Sequence, residues 1–244
     1  MFPRCGVQLN REPTVDSHER QFDKELGDLK KKLIRMAAIA ETMIDRTISE
    51  LVNREEKLAE PVPGYEEELN RLQIEIDEAA MTLLATHQPV AVDLRFIVAA
   101  TKINSDLERI GDLVVNITQN VHTLLEQPPI KPLIDIPRMA DLAREMVHDA
   151  LDAFVRGDVA LAQSVIMTDD QVDALKEQVL RELLTYMMAD PKTIERALAL
   201  ILISRHLERI GDHATNIAED VILMIQARDV RHPRTPRERP SQEP

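Results

Sequence analysis

Tryptophan is absent from this chain, aromatic residues make up 2% of it, and only six glycines occur. Sandwiches and barrels draw on aromatic strand residues and turn glycines, so these scarcities point to an all-α fold of long helices. Platforms that stack single-stranded bases need aromatics in sets, and two Tyr with four Phe do not supply them. The one cysteine, Cys5, lies in a polar N-terminal stretch. That excludes an intrachain disulfide and a thiolate metal cage, and it favours a reducing, cytoplasmic setting. Long apolar runs are missing too: the longest, 197–203, has seven residues and lies between Arg196 and Arg205. No membrane span is expected, and residues 1–21 hold no apolar signal-peptide core. Basic charge is in deficit, 30 Lys and Arg against 43 Asp and Glu, for a net charge of −13. A nucleic-acid backbone would be repelled, so no nucleic-acid partner is expected.

What the chain does have is helical spacing, interrupted at intervals. Breaks fall at Pro61-Val62-Pro63-Gly64, at His87-Gln88-Pro89, at the prolines of 128–132, at Gly157 and at Asp190-Pro191. The segments between them, about 22–59, 64–86, 90–126, 135–156, 158–189 and 191–228, are rich in Ala, Leu, Ile, Glu and Arg, and each is predicted as a helix. Residues 1–21 and 229–244 are polar, proline-bearing and aperiodic, and read as disordered tails.

Laid against itself, the chain repeats. A shift of 100 superposes Leu107-Glu108-Arg109-Ile110-Gly111-Asp112 on Leu207-Glu208-Arg209-Ile210-Gly211-Asp212, and Asn116-Ile117 on Asn216-Ile217, with eight of eleven positions identical. A shift of 103 pairs Met36 with Met139, Ala40 with Ala143, Met43 with Met146, and Asn70 with Asp173. A first three-helix repeat over 22–127, a linker over 128–134 and a second repeat over 135–228 follow. In the third helix of each repeat, apolar residues step by threes and fours (Ile103, Leu107, Ile110, Val114, Ile117 and Ile203, Leu207, Ile210, Ala214, Ile217), a heptad-like core stripe. The expected fold is two tandem, pseudo-symmetric three-helix bundles.

At 100° per residue, Glu108, Asp112 and Asn116 fall within about 80° of arc, off the core seam. The same holds for Glu208, Asp212 and Asn216. Like charges four residues apart on a helix repel by roughly 0.2–0.5 kcal/mol, and mid-helix Gly111 and Gly211 each cost about 1 kcal/mol relative to Ala. Helix stability alone would select neither, and a close neighbour or bound species would account for both. A second helix offers a matching pair in each repeat, Asp169 with Asp173 in copy two and Glu66 with Asn70 in copy one. Together they could furnish the all-oxygen shell that hard cations prefer, copy one more weakly because Asn70 is neutral. The plain alternative is a solvated acidic face offset by Arg109, Arg205 and Arg209. Duplication, the paired glycines and the second-helix partners favour the cation site.

The stretch Asp106-Leu107-Glu108-Arg109-Ile110-Gly111-Asp112 with Asn116-Ile117, and Leu207 to Asp212 with Asn216-Ile217-Ala218-Glu219, resembles the twin signature of the PhoU family, accessory regulators of bacterial phosphate uptake. Residues 36–51, Gln88-Pro89 with Asp93-Leu94-Arg95, and Tyr186-Met187-Met188 with Asp190 are similar to other stretches of that family, so the resemblance covers roughly 22–230. It implies two pseudo-symmetric three-helix bundles and, in some members, metal clusters on the bundle surface. Those would be held here by Glu108 and Asp112, Glu208 and Asp212, and Asp169 and Asp173, with Glu66 and Asn70 departing from the acidic pattern. Iron is the metal favoured, with zinc, magnesium or manganese open. It further implies a nonenzymatic, cytoplasmic negative regulator of phosphate uptake and phosphate-starvation signalling. Its partners would be the phosphate ABC transporter ATPase and the phosphate-responsive sensor histidine kinase. It would reach the membrane only through those partners, with a homodimer expected.

Other features carry less. Glu145-Met146-Val147-His148 has the Glu-x-x-His spacing of di-iron bundles, but they need two such pairs and the repeat supplies none. His206 and His213 flank the second stripe where copy one has Asp106 and Leu113, and they read as surface histidines, His213 a secondary candidate to assist a metal. No phosphate-cradling Gly-rich loop, nucleophile elbow or Cys/His nucleophile pair occurs, which leaves hydrolytic and kinase activity without apparatus. The competing functions are a metal-storage or redox protein on a helical bundle, and a structural adaptor without metal.

Overall fold

The computed structural model of the chain describes residues 15–55 and 57–230. Six helices follow one another: α1 (Val15–Asn53), α2 (Val62–His87), α3 (Ala91–Leu125), α4 (Asp135–Arg156), α5 (Val159–Ala189) and α6 (Ile194–Gln226), the last entered through a 3-10 turn at Pro191–Thr193. Local chemistry ends them where the sequence is punctuated. Gly157 closes α4 at φ 67°, and the Asp158 carboxylate then accepts from the Ala160 and Leu161 amides at 2.9 and 3.0 Å to cap α5. Asp190 does the same for Lys192 ahead of α6.

Two boundaries differ from expectation. Helix α1 begins at Val15, inside the stretch read as a tail: the helix anchored from Phe22 onward runs back through 15–21, where no glycine or proline stops it, propagation of an existing helix being cheap. Leu29 and Leu33 are buried, and Phe22 lies 5.1 Å from the His87 ring. The same helix ends at Asn53 rather than near 59, since Arg54 and Lys57 take positive φ and the Ala59 amide donates back to Glu50 at 2.6 Å. No glycine or proline marks that turn. The C-terminal tail assignment lies outside the described residues from 231 onward.

Every residue of both predicted core stripes is buried, from Ile103 to Leu124 and from Ile203 to Met224. The bundles are not separate bodies, however. The most extensive pairing is between α3 and α6, one from each copy, and α1 also meets α4, so α1, α3, α6 and α4 form a closed ring around one continuous core. Helix α2 packs on α1 and α3 and α5 on α4 and α6, each touching only its own copy. Polar links mark α3 and α6 as antiparallel: Arg95 Nε donates to the Met224 carbonyl at 2.8 Å, Lys102 to Asp220 at 2.9 Å, and Asp106 faces His213 at 2.8 Å. A pseudo-two-fold axis therefore passes between the helices near Ile110 and Ile210.

Candidate functional site

The carboxylate stripes lie on that axis. In copy two the antiparallel packing of α5 against α6 brings Asp169 and Asp173 to Glu208 and Asp212 as expected. Gly211 is the hinge of that approach: a Cβ there would sit 3.3 Å from Asp169 Oδ1 and 3.6 Å from Met146 Cε. The glycine answers to a close neighbour. Partial burial, aided by the charges of Asp212, Asp173 and Glu208, pushes the Asp169 carboxyl up to about 6. Burial and the same crowding, from Glu208 and Asp173, raise Asp212 as well.

Lys176, which the sequence did not single out, bridges two of the four carboxylates. Its ammonium donates to Asp173 Oδ1 at 2.9 Å and to Glu208 Oε1 at 2.8 Å, and these two bonds hold its pKa above the usual range. The only advance signal was its position three residues after Asp173. The four carboxylates thus share a patch but not a point. Among the described residues no three His, Cys, Asp or Glu side chains approach closely enough to hold one ion.

Copy one is built differently. Gly111 meets a hydrocarbon, with Leu69 Cδ1 3.0 Å from where a Cβ would be. Glu108 is raised by burial and by Asp112, against Arg109 and His213; Glu66 is not among the charges acting on it. Arg109 pairs with Asp112 at 3.3 Å and with Glu108 at 3.5 Å. Asn70, Asn116 and Asn216 are all exposed, the Asn116 amide donating back to the backbone carbonyl of Asp112 at 2.9 Å. The stripes look outward but unevenly, the Glu108 and Glu208 side chains only 17% and 20% accessible, Asp112 and Asp173 40% and 53%.

The histidines are not the surface groups the sequence suggested. His213 is bonded to Asp106 across the two copies, both side chains 17% accessible. His206, its counterpart across the repeat from Asp106, is half-buried with no partner on Nδ1, and burial and the nearby Arg209 and Arg205 lower its pKa. His148 reaches Glu41 on α1 at 3.3 Å and so links the two copies.

The donor set of copy two, four carboxylates on two helices with a glycine cradling one of them, has the oxygen chemistry of a hard-cation site, which would require the carboxylates to close on a common point and the Lys176 ammonium to be displaced. Copy one, with Leu69 filling its cradle and Asn70 exposed, fits poorly. Fold and face together define a duplicated all-helical protein with a carboxylate-bearing surface at its pseudo-two-fold axis. The PhoU domain profile matches twice, at residues 33–121 and 136–221. The chain is 39% identical over 225 residues to the phosphate-specific transport system accessory protein PhoU homolog of Pseudomonas putida, covering 92% of this chain and 88% of that one. It is 42% identical over 201 residues to the homolog of Caulobacter vibrioides, covering 82% and 87%. The crystal structure of PhoU from Pseudomonas aeruginosa superposes with a TM-score of 0.82 at 38% identity, over 85% of this chain and all of that one. This chain belongs to the PhoU family.

Proposed function

We propose that the protein is an accessory regulator of phosphate transport that damps uptake and phosphate-starvation signalling when phosphate is ample. It acts in the cytoplasm, without catalysis, by binding the transporter ATPase and the phosphate-responsive sensor kinase, and it works as a homodimer. The double family match across both repeats, with relatives named as phosphate transport accessory proteins, carries this reading. A regulator without a catalytic centre shifts its partner only by binding one partner state more tightly than another. With a net charge of −13, such binding weakens as salt rises.

The copy-two cluster is the proposed cation site, with Asp169, Asp173, Glu208 and Asp212 as ligands and iron as the favoured metal. A bound cation would supply positive charge beside Asp169 and Asp212, the two carboxyls that burial and like charges raise. Deleting the gene is expected to switch on phosphate-starvation reporters in abundant phosphate, and pull-down across a salt series is expected to recover the ATPase or the kinase at low salt. Unchanged reporter output with no association would overturn the regulatory reading. Light scattering of the purified protein reads the dimer directly.

A further inference from the structure

Exposed apolar side chains are not scattered. Of the sixteen large ones among the described residues, thirteen lie on the α2–α3 and α5–α6 hairpins, ten of them toward the closed ends. The repeat places them twice: Met81 corresponds to Leu184, Leu94 to Ile194, and Val98 to Leu198, exposed by 41% to 68%. Buried faces are explained by the core, but one exposed apolar patch occurring at equivalent places in both copies is not.

Where the patches point follows from the packing of α3. Its Asp106 meets α6, its Thr118 meets Thr47 of α1 at 2.9 Å, and its Asn104 meets α2. Leu94 and Val98 lie on the side opposite α1, on the same arc as Asp112. The two-fold carries that arc onto Ile194, Leu198 and Asp212 of α6, so both patches open on one face. Because α3 and α6 are antiparallel, the patches sit at its two ends, about 40 Å apart at 1.5 Å per residue, with both carboxylate stripes between them. The charge of this side is acidic in excess: α2 carries six carboxylates against one arginine, α5 five against two basic residues, and α3 with α6 nine against six, while α1 balances eight with seven.

The geometry points to this face as a docking surface for a two-fold-symmetric protein that presents two apolar contacts about 40 Å apart around a basic centre. A pseudo-symmetric face offers a symmetric dimer, the commonest oligomer, the same contact twice within one chain. Acidic residues flanking the patches select a Lys- or Arg-rimmed surface and disfavour acidic ones. The inference rests on the regulatory reading above, with the assembled transporter ATPase as the symmetric partner.

The test uses the full chain with Val98→Asp, Leu198→Asp and the pair, each checked by circular dichroism and thermal melting, and measures binding to the purified ATPase assembly. Because both positions are exposed, the fold is expected to be unchanged. Each single change is expected to weaken binding about tenfold, and the pair by 100-fold or more, since the two contacts act as one bivalent attachment. Val52→Asp, exposed on α1, is the matched control and is expected to bind normally. Wild-type affinity in the folded double variant overturns the docking surface while leaving the regulatory reading standing. Failure of the wild-type chain to bind the ATPase at any salt overturns both. A double variant that turns a wild-type dimer into monomers assigns the face to a second copy and overturns the symmetric-partner inference.

Discussion

The two repeats share an identical six-residue signature on α3 and α6, yet one gathers its carboxylates and the other does not. The difference lies in the neighbouring helix. Where α5 sets an Asp169 carboxyl against Gly211, α2 sets the methyls of Leu69 against Gly111. A duplicated motif preserves a helix face, but the side chain that packs opposite decides whether that face becomes a charged cluster or a closed seam. The same asymmetry runs through the centre, where Asp106 finds His213 while His206 and Leu113, at the swapped positions, cannot form the equivalent pair.

The sharpest break of this comparison is in the core, where the copies are equal. Leu107→Ala and Leu207→Ala each remove a fully buried side chain and are expected to cost about 2–5 kcal/mol, read by chemical denaturation. Because one core spans both copies, either change should leave a single unfolding transition; two separate transitions would mean the bundles fold independently.

Metal binding is expected to separate the copies next. Asp212→Ala is expected to lower the affinity for iron or a divalent substitute about tenfold or more, and Asp112→Ala much less, measured by titration and elemental analysis of protein prepared without chelator. Equal losses would erase the distinction drawn between the two patches.

The metal-free copy-two cluster should also respond to acid. A carboxyl raised to about 6 binds a proton more readily in the folded chain than in the unfolded one. Its stabilising contribution is complete below about pH 4 and is lost as pH rises through about 6. Lowering pH from 7 to 5 should therefore stabilise this part of the molecule. Asp169→Asn should raise stability at pH 7 by about 1–2 kcal/mol, allowing for solvent screening, and flatten the pH dependence. A variant no more stable than the parent at pH 7 would remove the like-charge argument.

The glycines give the smallest and most local contrast. Alanine gains about 1 kcal/mol of helix propensity at either position. At 111 the new methyl meets Leu69, which is buried and cannot withdraw, so Gly111→Ala is expected to be destabilising by about 1 kcal/mol in thermal melts. At 211 the obstacle is a partly accessible carboxylate that can turn away, so Gly211→Ala should be near neutral in stability while weakening metal binding.

Period and repetition were enough to read the six helices, their order, the two core stripes and the carboxylate faces, since 3.6-residue spacing assigns inward and outward positions without knowledge of any neighbour. Proline, glycine and Asp caps marked most boundaries because their effects are confined to one or two residues. The start of α1 escaped because residues 15–21 carry charge without the apolar spacing that begins at Phe22, and its end because Arg54 and Lys57 adopt positive φ without a residue that advertises it. Only tertiary packing decided that α3 and α6 close one shared core, that Lys176 enters the copy-two cluster, and that His213 and His148 bridge the copies. Those contacts join residues as many as 107 positions apart. Their distances depend on how helices cross, a property of two elements together that no single stretch of chain contains.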